Sequence, residues 1–224
     1  MTTCKTGADH IKSLKDGRRV YIDGTLVTDV TTHPAFRNAV KSAATLYDFQ
    51  AKPENMELMT FCPDGSSRRI NRAWQMPRNY EEMVRRRKAL QAWARLSCGF
   101  IGRSPDHVAS TLVGHRMGLG IFQKHGPDRA KAVADYFEEA SRNDYFLTYV
   151  IINPQAERAK DWGEQAAELV ARVVDEDSAG MTIRGAKKHG SIMVTSALRG
   201  IFKENPSSRA EILTLMYSDH SRAQ

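Results

Sequence analysis

Cysteine is scarce in this chain: Cys4, Cys62 and Cys98 are its three, and none stands at metal-ligand spacing from another. A metal site built on close cysteine pairs is therefore excluded. No apolar run is long enough to cross a bilayer, which excludes a helical membrane span. No targeting segment is legible at the N-terminus, so a reducing cytoplasm is the expected setting. Internal repeats and low-complexity linkers are lacking too. What remains is a chain of 224 residues with 41% hydrophobic content, enough to bury a sizeable core in one or two domains. The formal charge of +7 and pI near 9.4 permit an anionic ligand without demanding one. The densest basic run, Arg85-Arg86-Arg87-Lys88, falls in a helical stretch whose apolar positions are Met83, Leu90 and Trp93, so it reads as a solvated face. With no recognisable module and no interleaved aromatics, nucleic acid is not an expected partner.

The N-terminal half is mixed and then helical. Residues 18–22 and 25–27 flank Asp23-Gly24, a hairpin signal. A second ribbon is expected from 57–61 and 68–71 around Pro63-Asp64-Gly65-Ser66. Between them, Phe36, Val40, Ala43, Ala44 and Tyr47 lie at helical spacing and predict an amphipathic helix over 34–49. A helix over 79–97 opens on Asn79, with Glu82 placed to complete a capping box. Another spans 105–124, where Gly114, Gly118 and Gly120 lower its propensity and suggest close backbone packing. A fourth covers 127–141. The period then changes: 146–152, 169–174 and 181–184 read as strands, with an acidic turn from Asp175 to Gly180.

Two segments carry candidate chemistry. In Phe100-Ile101-Gly102-Arg103-Ser104-Pro105-Asp106-His107, Ser104 can cap a helix, Pro105 suits its first position and Asp106 complements the dipole. Arg103 would then stand beside free backbone N–H groups, a place suited to a phenolate, carboxylate or flavin oxygen. Taken alone, the segment also reads as a capped helix with a surface arginine. The second segment is the apolar strand that leads from Leu147 into Asn153-Pro154-Gln155-Ala156-Glu157-Arg158.

The order G-R-S-P-D, apolar strand, N-P-Q-x-x-R, acidic turn and then Gly180-Met181-Thr182-Ile183-Arg184-Gly185-Ala186-Lys187 resembles the oxygenase component of the 4-hydroxyphenylacetate 3-monooxygenase family. The opening Thr6-Gly7-Ala8-Asp9-His10, the turn around Asp23-Gly24 and His33-Pro34-Ala35-Phe36 extend the likeness, which covers about residues 6–187. The resemblance implies an α+β chain of acyl-CoA dehydrogenase-like architecture. Residues 1–142 would form a mostly helical domain with small β-hairpins, and 143–194 the start of a middle β-barrel, left incomplete. Residues 195–224 would be a divergent tail, with the family's C-terminal helical bundle absent.

The implied activity is FADH2-dependent hydroxylation of a phenol ortho to its hydroxyl, through a flavin C4a-hydroperoxide, as in aromatic catabolism. Its partners would be dioxygen, a phenolic substrate and a separate NAD(P)H-flavin reductase, with a homo-oligomer where the site is completed. Carried over residue by residue, Arg103 hydrogen-bonds the phenol oxygen, with His107 and Tyr149 beside it. FAD is contacted by Tyr149, Val150, Ile151, Gln155, Ala156, Glu157, Arg158 and Ser191. Two positions depart from the family pattern: His107 stands where a Tyr is expected, and Tyr149 where a His is expected. Val150 and Ile151 would be apolar strand residues in any β-domain, so only their backbone would serve. After Lys187 the pattern breaks at Lys188-His189-Gly190-Ser191, and the tail from about Thr195 reads as an altered reading frame or truncated product. Two alternatives stand beside this function: an inactive family fragment or interaction module, and a 4-hydroxybutyryl-CoA dehydratase-like enzyme. The second needs cysteine ligands for an iron–sulfur cluster, and Ala94 occupies the turn before Cys98 where a partner thiolate would be wanted.

Overall fold

The computed structural model describes residues 4–101, 104–147, 159–161, 164, 172–177, 180–185 and 214–215. Thr6 opens the first helix, α1 (Gly7–Ser13), with a reciprocal capping box: the Asp9 N–H donates to the Thr6 hydroxyl and the Thr6 N–H to the Asp9 carboxylate. Gly7 is required there. Its N–H donates to Asp48 at 2.8 Å, and a Cβ at this position would meet the Ala44 carbonyl at 2.6 Å. The hairpin forms as expected, β1 (Val20–Ile22) against β2 (Thr25–Val27), with both turn residues, Asp23 and Gly24, at positive φ. Its inner face, together with Leu14, Phe36 and Val40, makes one apolar cluster.

α2 (Arg37–Ala51) buries Val40, Ala43, Ala44 and Tyr47, as the spacing predicts, and also Leu46 and Gln50. The second ribbon is shorter than expected, because residues 57–59 belong to a helix. α3 (Pro53–Met59) starts on Pro53, carries Glu54 in its first turn and consists of good helix formers. Its free carbonyls are closed by Arg72, whose guanidinium donates to Leu58 O at 2.9 Å, Glu57 O at 2.7 Å and Thr60 O at 2.6 Å. Only β3 (Thr60–Phe61) and β4 (Ile70–Asn71) pair, followed by a 3₁₀ turn over Arg72–Trp74.

α4 (Tyr80–Leu96) is capped by Asn79, which accepts from the Glu82 N–H; the Glu82 carboxylate instead takes the N–H of Arg78, so the box is not reciprocal. The basic run on α4 is solvated in part. Arg85, Arg87 and Lys88 are exposed, whereas Arg86 lies half-buried and donates to Ala73 O at 2.9 Å and Ser110 Oγ at 2.6 Å, tying α4 to its neighbours. The next helical stretch divides into α5 (Asp106–Met117) and α6 (Leu119–Gln123) at Gly118, whose N–H closes on Gly114 O. Three glycines in one stretch leave too little intrinsic propensity to carry the helix through. Gly114 and Gly120 face open space among the described residues, which corrects the expectation of close packing there. α7 (Pro127–Arg142) follows the expected course.

Two further clusters fill the helical part. One gathers Trp74, Ala109, Leu112, Val113, Phe137, Ala140 and Leu147; the other gathers Leu46, Tyr47, Met59, Ala89, Trp93 and Phe146. Trp74 meets Phe137 edge to face at 6.1 Å, and the buried Trp93 donates its indole N–H to Leu46 O at 3.1 Å. Beyond α7, β5 (Arg172–Asp177) pairs antiparallel with β6 (Gly180–Arg184), with an irregularity between Val173 and Asp175. The acidic residues expected in a turn continue the strand. β7 (Thr214–Leu215) lies parallel to β1. The described strands form hairpins and one small three-stranded sheet, so no closed barrel stands among the described residues. Within the same residues, no helix is long and apolar enough to cross a membrane.

Candidate functional site

The two candidate segments begin at the ends of two helices built alike. α4 ends in a Schellman motif: Cys98 N–H closes on Arg95 O and Gly99 N–H on Ala94 O, with Cys98 at φ 50°. α7 does the same through Asp144 N–H to Ser141 O and Tyr145 N–H to Ala140 O, with Asp144 at φ 47°. Each left-handed position is one that glycine usually fills, and neither is glycine. A few residues after Cys98 comes Arg103; a few residues after Asp144 comes Tyr149.

The flanks of the two segments converge. Ile101 packs on the cluster that holds Phe146, and Leu147 shares a cluster with Ala109 and Leu112 of α5, with Val108 packed against it. Both segments therefore depart from one packed region.

Asp144 is the centre of a buried polar knot. Its carboxylate accepts the indole N–H of Trp74 and the amide N–H of Gln50, each at 2.9 Å. Its main-chain carbonyl accepts Lys5 Nζ and the Tyr47 hydroxyl, each at 3.0 Å. The Gln50 amide also donates to Lys5 O, and its oxygen accepts the Asn71 side-chain amide at 2.6 Å. Asn71 in turn accepts the Ala73 N–H. Burial raises the Asp144 carboxyl above the ordinary carboxylate range, against the Gln50 hydrogen bond and the Lys5 charge. Burial likewise lowers Lys5 to about 8, against the attraction of Asp144 and Asp9. Lys5 Nζ sits 4.8 Å from the centre of the Tyr47 ring, and His10 stacks on the ring at 4.9 Å. His10 is fully buried, neither ring nitrogen has a partner among the described residues, and burial holds its pKa near 3.

Of the expected site residues, His107 lies among those described. It occupies the first turn of α5, half-buried, its N–H donating to Ser104 O at 3.1 Å and its carbonyl accepting the Thr111 hydroxyl. Ser104 does not cap α5. Its hydroxyl bonds the Asp106 side chain, and the helix starts at Asp106 without a side-chain cap. Arg103, Tyr149, Val150, Ile151, Gln155, Ala156, Glu157, Arg158 and Ser191 lie outside the described residues, as does most of the expected strand over 146–152. The knot of Lys5, Gln50, Asn71, Trp74 and Asp144 has no sequence signature, because its members come from four separate stretches and each reads locally as a cap, a helix residue or a turn. Asp144 alone left a trace, as the place where the helical period ends.

The 4-hydroxyphenylacetate 3-hydroxylase N-terminal family matches residues 6–208, which extends the likeness past Lys187 and into the tail expected to be divergent. The chain is similar to the 4-hydroxyphenylacetate 3-monooxygenase oxygenase component of Geobacillus sp. (strain PA-9), 36% identical over 185 residues, covering 82% of this chain and 37% of the relative. It is 36% identical over 183 residues to the 4-nitrophenol 2-monooxygenase oxygenase component of Rhodococcus sp, covering 81% of this chain and 34% of the relative. Its fold is similar to the crystal structure of a 4-hydroxyphenylacetate 3-monooxygenase oxygenase component complexed with FAD and 4-hydroxyphenylacetate. That match has a TM-score of 0.73 at 31% identity and covers 82% of this chain and 38% of the other. The chain thus spans little more than a third of the length of these relatives.

Proposed function

The chain belongs to the 4-hydroxyphenylacetate 3-hydroxylase family, and we propose that it carries the phenol- and flavin-binding part of a two-component monooxygenase that hydroxylates a phenol ortho to its hydroxyl. The observation that supports this most directly is the ordered match across residues 6–208, which takes in both candidate segments. In this reading residues 1–142 are the helical domain, and 143–194 begin the barrel domain.

Arg103 hydrogen-bonds the phenol oxygen and favours the phenolate, which raises electron density at the ortho carbon. His107 and Tyr149 flank that oxygen as further hydrogen-bonding groups. Because the two stand where the family pattern has Tyr and His, the phenol accepted here is not tied to 4-hydroxyphenylacetate. The donor set is chemically suited to FAD: the Gln155 amide, Arg158 guanidinium, Ser191 hydroxyl and backbone amides of Ala156 and Glu157 match ring carbonyls, ribityl hydroxyls and phosphate oxygens. Reduced FAD, when bound, supplies the electrons that divide dioxygen between the ring carbon and water, and a separate flavin reductase renews it. The chain's own task is to orient the phenol and keep water from the reacting atoms. The absence of a second thiol at Ala94 disfavours the dehydratase-like alternative.

The test is anaerobic titration of the 224-residue chain with reduced FAD, then admission of dioxygen with 4-hydroxyphenylacetate or 4-nitrophenol as probe. Flavin retention with formation of a catechol product supports the proposal. Failure to retain reduced flavin leaves the chain an inactive fragment of its family. Where the chain turns over, Arg103→Ala raises the phenol KM by about 10- to 100-fold; unchanged kinetics remove Arg103 from the site.

A further inference from the structure

The hairpin of β1 and β2 is fixed by its own turn and by the core beneath it. Asp23 and Gly24 reverse the chain, and Val20 and Val27 sit in the cluster with Leu14, Phe36 and Val40. One edge of β1 is occupied by β2, in the register Val20 to Val27, Tyr21 to Leu26 and Ile22 to Thr25. The other edge carries main-chain N–H and C=O groups that need partners of their own. A held strand with such an edge is a template for an added strand, and a two-stranded ribbon gains from a third.

That edge is taken. β7 lies against it in parallel, with Thr214 in register with Val20 and Leu215 with Tyr21, so β1 becomes the middle strand in the order β2-β1-β7. Parallel neighbours cannot be joined by a tight turn, and these two come from distant parts of the sequence. The stretch around β7 reads Ile212-Leu213-Thr214-Leu215-Met216, uncharged and free of the glycine and proline that weaken a strand. It lies past residue 208, where the family match ends, so the match does not account for it.

We propose that the second edge of β1 is a strand-docking site whose occupant is the chain's own 212–216 segment, clasped onto the N-terminal hairpin within one molecule. Main-chain hydrogen bonds supply the affinity, and the fixed register supplies the selection. Docked, the segment covers an edge that would otherwise be open to a second copy of the chain. The docking site is independent of flavin and phenol and does not rest on the proposed function.

Disulfide trapping in the full chain tests this, in a Cys62→Ser, Cys98→Ser background because both of those thiols are exposed. Tyr21→Cys with Leu215→Cys puts the thiols on register partners of adjacent strands, about 4.8 Å apart and within disulfide reach. Leu26→Cys with Leu215→Cys is the control. Leu26 is the partner of Tyr21 on β2, so this pair is two strand spacings apart, about 10 Å and out of reach. On mild oxidation the first pair should close within one chain about tenfold faster than the second, read by non-reducing electrophoresis and mass spectrometry. Equal rates would mean a segment that collides with the hairpin without docking. A dimeric product would mean docking on a second copy, and no product would mean that the edge is not its site; each of the three overturns the proposal. A second measurement needs no new thiol. Leu215→Pro removes a strand N–H and should raise amide exchange over residues 20–22 by about tenfold while α2 and α4 keep wild-type protection. Unchanged exchange at 20–22 overturns the proposal as well.

Discussion

The exit of α4 and the exit of α7 use the same backbone motif with the same irregular choice of a non-glycine residue, yet they are held in opposite ways. Around Cys98 the chain is exposed: Cys98 and Gly99 face solvent, and Phe100 is 93% exposed. Around Asp144 it is buried and bonded on every side. The left-handed backbone disfavours both side chains, by on the order of 1 kcal/mol and less for Asp than for Cys. What differs is what offsets it. At Cys98 the motif's own two hydrogen bonds do so. At Asp144 the side chain and carbonyl add four bonds from distant residues, so a local strain is held by tertiary contacts. Identical helix-ending geometry therefore says little about how firmly a helix end is held.

Replacing each left-handed residue by glycine should break this parallel most sharply. Asp144→Gly relieves the backbone and keeps the carbonyl that Lys5 and Tyr47 use, but it strands the buried Trp74 and Gln50 donors, and we expect a loss of about 3–5 kcal/mol. Cys98→Gly should be neutral to stabilising by up to about 1 kcal/mol. Urea unfolding of both variants measures the difference; losses of equal size would mean that the knot contributes nothing beyond the motif.

Acid should unfold the buried side first. The folded chain keeps His10 neutral down to about pH 3, whereas the unfolded chain takes up a proton near 6.5. The unfolded state therefore binds more protons between those values. Stability present above pH 6.5 is lost on acidification at up to about 1.4 kcal/mol per pH unit. Asp144, raised by burial, titrates in the opposite sense. The difference between wild type and His10→Phe isolates the histidine, because phenylalanine can keep the stack on Tyr47 and forfeits no ring hydrogen bond among the described residues. A pH-independent difference between the two would refute the assignment.

Lys5 should act on the alkaline side. Its folded pKa of about 8 lies below the usual 10.5, so the unfolded chain holds more protons between the two and stability rises with pH across that window. Below pH 8 both states are protonated and the burial cost remains in full. We expect a gain of about 1 kcal/mol per pH unit between pH 8 and 10, absent in Lys5→Met. The scan belongs in a Cys4→Ala background, since burial raises the Cys4 thiol and its titration has the opposite sign. The smallest effect is reserved for the exposed exit: Phe100→Ser should change stability by less than about 0.5 kcal/mol in the same unfolding assay.

Much of the helical part was legible beforehand because it rests on short-range rules. The apolar stripe of α2, the Asp23-Gly24 turn and the Asn79 cap depend on spacing and on residues within one or two turns. The misreadings have tertiary causes. Residues 57–59 stay helical with Arg72, distant in sequence, closing their carbonyls. The basic run predicts a solvated Arg86, but its acceptors lie on the 3₁₀ turn and on α5. Of the candidate site, the order of its motifs was visible, and with it the family. Arg103 and Tyr149 themselves lie outside the described residues. By itself, then, the sequence determined the family, the long helices α2, α4 and α7 and the identity of the candidate side chains, since each is written in local pattern or in the order of motifs. Only the tertiary structure decided that Lys5, Tyr47, Gln50 and Trp74 meet at Asp144, because burying a carboxylate becomes tolerable only when donors from separate elements arrive together.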